Sequence, residues 1–503
     1  MAEISEGKLL VDGYVYVRSR VRGNRAYWDC PRTKLKQCTA RAVSNNPKPG
    51  EDVVIYRGPT VSVHSHPPNR EEAAAIKVTQ SLKRKAAENP GQPPSQILRT
   101  ELPLVSHAVL SQLPEREALA KAMRRERRRH LPANPRSLRE LEDIPERFRK
   151  TFLNERFLMY DSREEDVEEE DEQEEDEEDE GRDRVLVFST RRNIELLCAS
   201  PTWFMDGTFK TAPTLFTQVF TILGLRRRNV VDGEGLAVPL VYALLTRKTT
   251  EQYTTVLRVV QEAVDEFNVA PCNPARFMTD FEKAILNACT AVYPTVTISC
   301  CFFHLGQSVY RRVQNEGLQA AYNNPEDRTL KVKTHMLLAL AFVPVPDVPA
   351  TFRLLKDAWP EANFKPIMTY FDSTYVNGIP ARRRRAAVAP RYPPHQWNQY
   401  ESAVNKSHRT NNVSEAWHQR FQVVVGRHHP DMFSALGELQ KEQGDTEAII
   451  AELAIGRKVR ALPKKKWVTA QERIQGIVAQ YESYINDDKV IDYLRTLSYN
   501  IDL

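Results

Sequence analysis

The chain has 503 residues, 41% of them hydrophobic and 27% charged, enough for two or three cores and too much for one small module. Its longest apolar stretches, Leu236 to Leu245 and Met336 to Val345, run ten residues each, short of the roughly 18 to 20 that a membrane helix needs. Seven cysteines, sparse and odd in number, speak against a secreted disulfide scaffold and predict cysteines used for metal binding or burial. The start, MAEISEGKLLVDG, reads as neither a signal peptide nor a transit peptide. The formal net charge of +5 is uneven: fifteen acids lie within Glu164 to Glu180, and without that run the other 486 residues carry +20. Such an excess suits a polyanionic partner, nucleic acid first, although any single basic cluster also reads as a solvated helix face.

In chain order, residues 1–68 alternate in strand fashion, as in Tyr14-Val15-Tyr16-Val17 and Asp52-Val53-Val54-Ile55-Tyr56, and predict a small β-rich domain. Residues 69–163 read as a basic helical connector broken at Asn89 to Pro94 and Pro132 to Pro135, with 18 basic and 11 acidic residues between 69 and 150. Residues 164–184 have nothing to bury and predict an acidic disordered loop. From 185 to 325 strand and helix signals alternate. Strands are expected at Val185 to Phe188, Trp203 to Asp206, Phe216 to Leu225, Leu236 to Leu245, Phe277 to Thr279 and Thr295 to Phe302, with helices from about Arg192, Thr250 and Phe281 and after Phe302. This is an α/β pattern, a mixed sheet flanked by helices. Residues 326–408 predict an all-α segment, and 409–503 further helices.

Cys30 and Cys38 precede His64 and His66, a Cys-x7-Cys pair and a His-x-His pair 25 residues apart. Two thiolates and two imidazoles suffice for tetrahedral zinc, and a module this small usually needs such a staple. The same residues read equally as two buried thiols and two surface imidazoles, since the spacing is not that of the ββα finger. Gly13-Tyr14-Val15-Tyr16, Tyr27-Trp28-Asp29-Cys30, Cys38-Thr39-Ala40-Arg41 and His64-Ser65-His66 together resemble the FLYWCH zinc finger. The resemblance implies Cys30, Cys38, His64 and His66 as ligands of a structural Zn²⁺, and DNA or protein binding. Arg18, Arg20, Arg22 and Arg25 lie close together and are compatible with phosphate contacts.

Three acids stand where strands end or helices begin: Asp206 before Gly207, Asp280 in Thr279-Asp280-Phe281-Glu282, and Glu415 after Asn411-Asn412-Val413-Ser414. Singly, each has a structural reading, a hairpin turn for Asp206-Gly207 and capping boxes for Thr279-x-x-Glu282 and Asn412-x-x-Glu415. Together, acids closing the first and fourth strands of one sheet converge on one edge, with a helical glutamate to complete the set. Converging carboxylates repel unless divalent cations sit between them, and two such ions serve nuclease or transposase chemistry. Asp206-Gly207-Thr208-Phe209-Lys210, Thr279 through Ala284, Cys301-Phe302-Phe303-His304-Leu305 and Arg409 through His418 resemble the transposases of Mutator-like elements (MULEs). The resemblance runs from about Phe188 to Gly456. It implies an RNase H-like catalytic domain with an all-α insertion and a DDE triad on Asp206, Asp280 and Glu415, none of them substituted, holding Mg²⁺ or Mn²⁺. It also implies double-stranded DNA with terminal repeats as partner, assembly as a homodimer or higher oligomer on that DNA, no membrane, and a place in the nucleus.

Cys301 and His304 match the cysteine and histidine motif such transposases carry after the second aspartate. Two ligands are an incomplete metal site, so Cys300, Cys289 or His418 would have to assist; packing or DNA contact is the other reading. His418, three residues beyond Glu415, reads either as support for the triad or as a surface histidine. Basic residues cluster at Lys121 to Arg129, at Arg382, Arg383, Arg384 and Arg385 with Arg391, and at Arg457 to Lys466, which includes Lys464, Lys465 and Lys466. Each reads as a DNA contact or a nuclear-import signal. The expected function is thus a MULE-class DNA transposase. The alternative is a transposase-derived host protein that binds DNA, regulates, and cuts nothing.

Overall fold

The computed structural model describes residues 2–32, 38–47, 51–57, 64–89, 92–129, 131–163, 183–226, 236–383, 386–405, 407, 409–457, 459 and 465–501. They divide into two compact units, Met1–Asn134 and Pro135–Leu503. Among the described residues no helix is long and apolar enough to cross a membrane.

In the first unit the alternating N-terminal sequence becomes a six-stranded antiparallel meander. Its strands, β1 (Glu3–Ser5), β2 (Lys8–Val11), β3 (Tyr14–Arg22), β4 (Arg25–Asp29), β5 (Arg41–Asn45) and β6 (Ile55–Arg57), lie in chain order. Period-two patterning buries Ala26, Trp28 and Ala42 with Leu9, Tyr16, Cys30, Cys38 and Ala40, and the Trp28 indole donates to Ser44 Oγ at 2.9 Å. Gly13 turns the chain into β3 at φ +82°, where a Cβ would stand 2.8 Å from Arg70 Cγ, so glycine is required. The helix Arg70–Glu88 is capped by Asn69, whose side chain accepts from Glu72 N. Its Ala73 packs on Leu10 and Val15 of the sheet. With Pro94–Glu101 and Arg116–Arg129 it encloses a second small core of Leu82, Ala86, Ile97, Leu98, Leu119 and Met123. The stretch read as one connector, 69–163, is therefore divided, because its helices up to Arg129 fold in the first unit and 135–163 fold in the second.

The second unit is α/β, built on a seven-stranded mixed sheet. Its strands β7 (Leu158–Asp161), β8 (Val185–Phe188), β9 (Thr202–Thr208), β10 (Gln218–Arg226), β11 (Leu236–Leu245), β12 (Arg276–Thr279) and β13 (Thr297–Cys300) lie in the order β13-β12-β9-β10-β11-β8-β7. Strands β9, β12 and β13 run parallel, and the remaining neighbours pair antiparallel. Helices Arg191–Cys198, Thr250–Glu266 and Lys283–Val292 pack on the sheet around Ile194, Leu197, Trp203, Tyr253, Val256 and Phe277. Two strand boundaries differ from expectation in ways that shape the site. Asp206 lies inside β9 and pairs across to Thr221, so Asp206-Gly207 is not a hairpin turn. The strand expected to reach Phe302 ends at Cys300, and the helix Phe302–Asn315 starts at once.

Strand β7 precedes the acidic run and pairs with β8 after it. At their base the buried Arg184 guanidinium donates to both Asp161 carboxylate oxygens, at 2.9 and 2.6 Å, and to the carbonyls of Leu141 and Glu142. Of the expected acidic loop 164–184, residues 164–182 lie outside the described residues. The C-terminal helices do not form one group with the Glu415 helix. Met432–Ala454 is tied to the helix Arg191–Cys198 by Asn193 Nδ2, which donates to Gln443 Oε1 at 2.8 Å and to Leu240 O of β11 at 3.0 Å. The last helix, Val490–Ser498, instead completes the core of the all-α segment, where Tyr493, Leu494 and Leu497 are buried with Leu337, Leu340, Phe352 and Phe371. Cysteine usage also departs from the expected metal binding or burial. Cys198 and Cys272, 74 residues apart, form a disulfide where the end of the helix Arg191–Cys198 meets the loop entering β12.

Candidate functional site

In the first unit, the end of β4 delivers Cys30, the entry to β5 delivers Cys38, and the chain after β6 delivers His64 and His66. One ligand atom from each lies within 4.8 Å of all the others. Cys30 Sγ is 3.3 Å from His66 Nε2, Cys38 Sγ is 3.4 Å from His64 Nδ1, and those two nitrogens are 3.1 Å apart. Zinc bonded at about 2.3 Å to sulfur and about 2.0 Å to nitrogen in a tetrahedron sets such edges at roughly 3.3 to 3.6 Å, so the four groups fit a structural Zn²⁺. The other ring nitrogens are engaged: His64 Nε2 meets Tyr16 Oη at 2.7 Å and His66 Nδ1 meets Pro67 O at 3.0 Å. The Pro67 carbonyl can only accept, so it selects the His66 tautomer protonated on Nδ1 and leaves Nε2 free for a metal, while the Tyr16 hydroxyl orients the His64 ring. Tyr14 stacks on His64 at 3.8 Å. Burial, then the charge of His66, lowers His64 to about 4, so the imidazole is neutral at pH 7 as a ligand must be. Burial pushes the Cys38 thiol up, but hydrogen bonds from Ala40, then Ser65, outweigh it and bring the thiol down to about 7.

In the second unit, Asp206, Asp280 and Glu415 come together from β9, the end of β12 and the helix Asn412–Val425. Parallel pairing sets Phe277 beside Trp203 and Met278 beside Phe204; the same register two residues on sets Asp280 beside Asp206. Asp206 is buried, with Oδ1 accepting from Gly207 N at 2.8 Å and Oδ2 at 3.1 Å from His418 Nδ1. A Cβ at Gly207 would collide with Gln218 Oε1, which accounts for the glycine beside the acid. The Glu415 helix is latched to β9 by Asn411, fully buried, whose Nδ2 donates to Met205 O at 3.1 Å and whose backbone N–H points at Cys301 Sγ at 3.2 Å.

His304 stands between two of the acids. Its Nδ1 is 2.8 Å from Asp280 Oδ1 and its Nε2 is 3.5 Å from Glu415 Oε1. Burial alone would lower this imidazole, but Asp280, then Cys301, outweighs it and raises the value to about 11. Burial raises Asp280 and Glu415; His304 opposes the shift in both, while Asp206 adds to it in both and Asp280 adds to it in Glu415. Asp280 Oδ1, Glu415 Oε1 and His304 Nδ1 are buried yet have no aligned hydrogen bond. Asp280 Oδ1 and Glu415 Oε1 both face the His304 imidazole, and one ligand atom from each of Asp280, Cys301 and His304 lies within 4.8 Å of the others; crowded carboxylates of this kind are donors that a hard divalent cation takes.

Residues 202–308 match the family model of the MULE transposase domain, and residues 5–66 match that of the FLYWCH zinc finger domain. The chain carries a MULE transposase domain preceded by a FLYWCH finger. No match to a curated protein is found. The FLYWCH match contains all four proposed zinc ligands, and the MULE match contains Asp206, Asp280, Cys301 and His304 but ends before Glu415.

The structural readings of Asp280 and Glu415 as parts of capping boxes do not hold in the second unit. Glu282 instead pairs with Lys248 at 2.6 Å and accepts from Tyr253 Oη at 2.7 Å, and the Glu415 helix has no side-chain cap bond. The third group offered to Cys301 and His304 is Asp280, not Cys300, Cys289 or His418. Cys289 instead packs against Met205 Sδ at 3.8 Å. His418 faces Asp206 rather than solvent, with Nε2 3.4 Å from Thr221 Oγ1. On the FLYWCH finger, Arg18, Arg20, Arg22 and Arg25 are exposed; Arg18 lies over Trp28, Arg20 over Tyr27 and Arg25 over Tyr56. Arg382 and Arg383 are exposed in the second unit. Arg384, Arg385, Lys464 and the side chains of Lys465 and Lys466 lie outside the described residues. Asn411 and Thr221 are site residues that the sequence did not single out.

Proposed function

We propose that this protein is a DNA transposase of the Mutator-like class, acting in the nucleus on double-stranded DNA at element terminal repeats and assembling there as a homodimer or higher oligomer. The MULE domain supports a transposase-related, DNA-binding function. The sheet order supports an RNase H-like reading: three antiparallel strands β9, β10 and β11, with β12 and β13 added parallel on the side of β9. The observation that carries the catalytic reading is the convergence of Asp206, Asp280 and Glu415, where Asp206 raises Asp280, both raise Glu415, and His304 faces the latter two.

Asp206, Asp280 and Glu415 would hold the divalent ions. When bound, a pair of such ions would activate a water or 3′-hydroxyl and stabilise the leaving oxygen of an in-line phosphoryl transfer. The protein's own part is positioning. His418 orients Asp206, Asn411 fixes the Glu415 helix against β9, and His304 supplies positive charge between Asp280 and Glu415. The finger would bring DNA, with Zn²⁺ holding its fold.

Asp206→Asn keeps the shape but removes one negative charge. With Mg²⁺ or Mn²⁺ and terminal-repeat DNA, the variant should bind like wild type and lose strand cleavage. Asp280→Asn and Glu415→Gln should behave alike, and double variants should lose little more than single ones, because parts of one catalytic unit are non-additive. Equal cleavage by Asp206→Asn would make the triad assignment wrong. Wild type that binds but never cuts would favour a DNA-binding protein derived from a transposase.

A further inference from the structure

We propose that the cleft between the helices Phe302–Asn315 and Lys365–Phe371 holds a backbone phosphate of the DNA strand a few nucleotides from the Asp206, Asp280 and Glu415 cluster. The inference rests on the transposase reading above and names a further place where the second unit meets that substrate. The cleft measures about 410 Å³ and is lined by Arg312, Lys365, Pro366, Thr369, Tyr370 and Ser373. Three segments build it. The helix that starts beside Cys301 gives Arg312, the helix Lys365–Phe371 gives Lys365, Thr369 and Tyr370, and the π-helical turn Asp372–Val376 that continues it gives Ser373. Turns of that kind interrupt regular helices most often at functional sites.

Contacts run without a break from the cleft to the acids. His304, Ser308 and Arg312 are four residues apart and share one face of their helix, which sets Arg312 about 12 Å along the axis from His304 at 1.5 Å per residue. His304 Nδ1 lies 2.8 Å from Asp280 Oδ1. Ser308 Oγ lies 2.7 Å from Tyr370 Oη and 2.8 Å from Tyr375 Oη, and the Tyr375 ring meets that of Phe281, next to Asp280, edge-on at 5.7 Å. The Arg312 guanidinium lies over the Tyr370 ring at 5.5 Å. A DNA strand advances about 3.4 Å per nucleotide, so a strand with one phosphate at the acids brings another level with Arg312 roughly three or four steps away.

The lining has the chemistry of an anion site. Arg312 and Lys365 bring positive charge, and no carboxylate lines the cleft among the described residues. Arg312 is anchored without being saturated: Glu316 takes Nη2 at 2.5 Å from outside the lining and the Tyr370 ring supports the guanidinium plane, while no hydrogen bond engages Nε. A guanidinium has five N–H donors in a fixed fork, so a side chain held in this way keeps donors for a tetrahedral oxyanion. Lys365 and Thr369 are exposed on the opposite wall, where the ammonium adds a point charge and the hydroxyl a further donor. Pro366 and the Tyr370 ring give an apolar surface that suits the sugar beside a phosphate. Exposed cations alone would mark no site on this unit. Two cations, a hydroxyl and an aromatic wall brought from three segments into one space, on the helix that carries His304, do.

The test uses the full chain with zinc retained and a fluorescein-labelled duplex of mixed sequence, with anisotropy read across a salt series. Each lost phosphate contact should lower the slope of log Kd against log salt by about 0.9, so Lys365→Gln should flatten it by that amount. Arg312→Gln combined with Glu316→Gln removes the ion pair and leaves the net charge unchanged; it should flatten the slope equally, which a general charge effect would not do. Thr369→Glu, which puts an acid into the cleft, should weaken binding at low salt. Acetylation by an N-hydroxysuccinimide ester, read by mass spectrometry, should show Lys365 protected by the duplex and not by inorganic phosphate alone. If the Arg312 variant fails to fold, Lys365→Gln and Thr369→Glu, both at exposed positions, and the protection pattern still decide. Wild type that binds DNA with the same slope in every folded variant, and with Lys365 acetylated equally with and without DNA, overturns this inference alone. Protection by inorganic phosphate equal to that by DNA also overturns it and gives the cleft to a small phosphate ligand. Wild type that does not bind DNA at all overturns the transposase reading with it.

Discussion

A carboxylate taken out of water requires a proton or a cation. Burial, only partly offset by His304, and the neighbouring acids hold Asp280 and Glu415 above the ordinary carboxylate range. A carboxyl whose folded value lies above its unfolded value of about 4 penalises the folded state once it ionises, and the penalty disappears as pH falls through the folded value. Glu415→Gln should therefore melt no lower than wild type at pH 7 without divalent metal, and any advantage should shrink on acidification toward about pH 4.5. With Mn²⁺ the order should invert. Wild type gains stability by mass action, about 2.7 kcal/mol at a hundred times Kd, and the variant should not. Calorimetry of both proteins over pH, with and without Mn²⁺, checks both signs; a variant that is less stable at pH 7 without metal and gains equally from Mn²⁺ would remove Glu415 from the site. The three acids were legible in the sequence because each falls at a predicted strand end or helix start. Asn411 was not, because an asparagine before a helix reads as a cap, and its actual partner, Met205 O, lies 206 residues away.

Among elements, the finger was legible as a ligand set but not as a fold. Spacing gave two thiols and two imidazoles. It could not show that Tyr16 would orient His64, that Pro67 O would fix the His66 tautomer, or that the helix Arg70–Glu88 would pack on the sheet. Binding energy at a structural zinc site is folding energy, so the β1 to β6 sheet should depend on the metal. In the full chain, chelation or Cys38→Ser should remove the zinc and the strand signal of the first unit while the second unit still melts cooperatively. Metal analysis and circular dichroism check this, and zinc-free protein with unchanged dichroism refutes it. Strands β8 to β13 were legible to within two residues, because alternation and apolar runs are local; β7 was not, since its four residues lie in the stretch read as a helical connector and pair only with β8. The placement of the last helix was not. Val490, Tyr493, Leu494 and Leu497 show at helical spacing that one face is buried, but nothing in that spacing tells that it packs against Leu337 and Leu340.

For the whole molecule the uneven charge is the governing quantity. Fifteen acids in Glu164 to Glu180 offset most of a +20 excess. The chain leaves β7 and re-enters β8 at the end of the sheet where β9 and β12 terminate, since β9, β11 and β7 all point the same way. If the acidic run acts as an internal DNA mimic, it competes with phosphates for cations; otherwise it is a solvated linker. Deleting residues 164–180 should tighten DNA binding and steepen its salt dependence; unchanged affinity across a salt series would leave the run only a linker role. The Asp161 and Arg184 pair gives that segment a further property. Its two ends are fixed posts inside the fold, so the energy of closing the loop grows only by about 0.6 kcal/mol for each doubling of its length. The acidic segment is therefore a site where length is almost free to drift, and a place where a foreign domain can be grafted between Glu170 and Asp171 without disturbing the sheet that carries the chemistry.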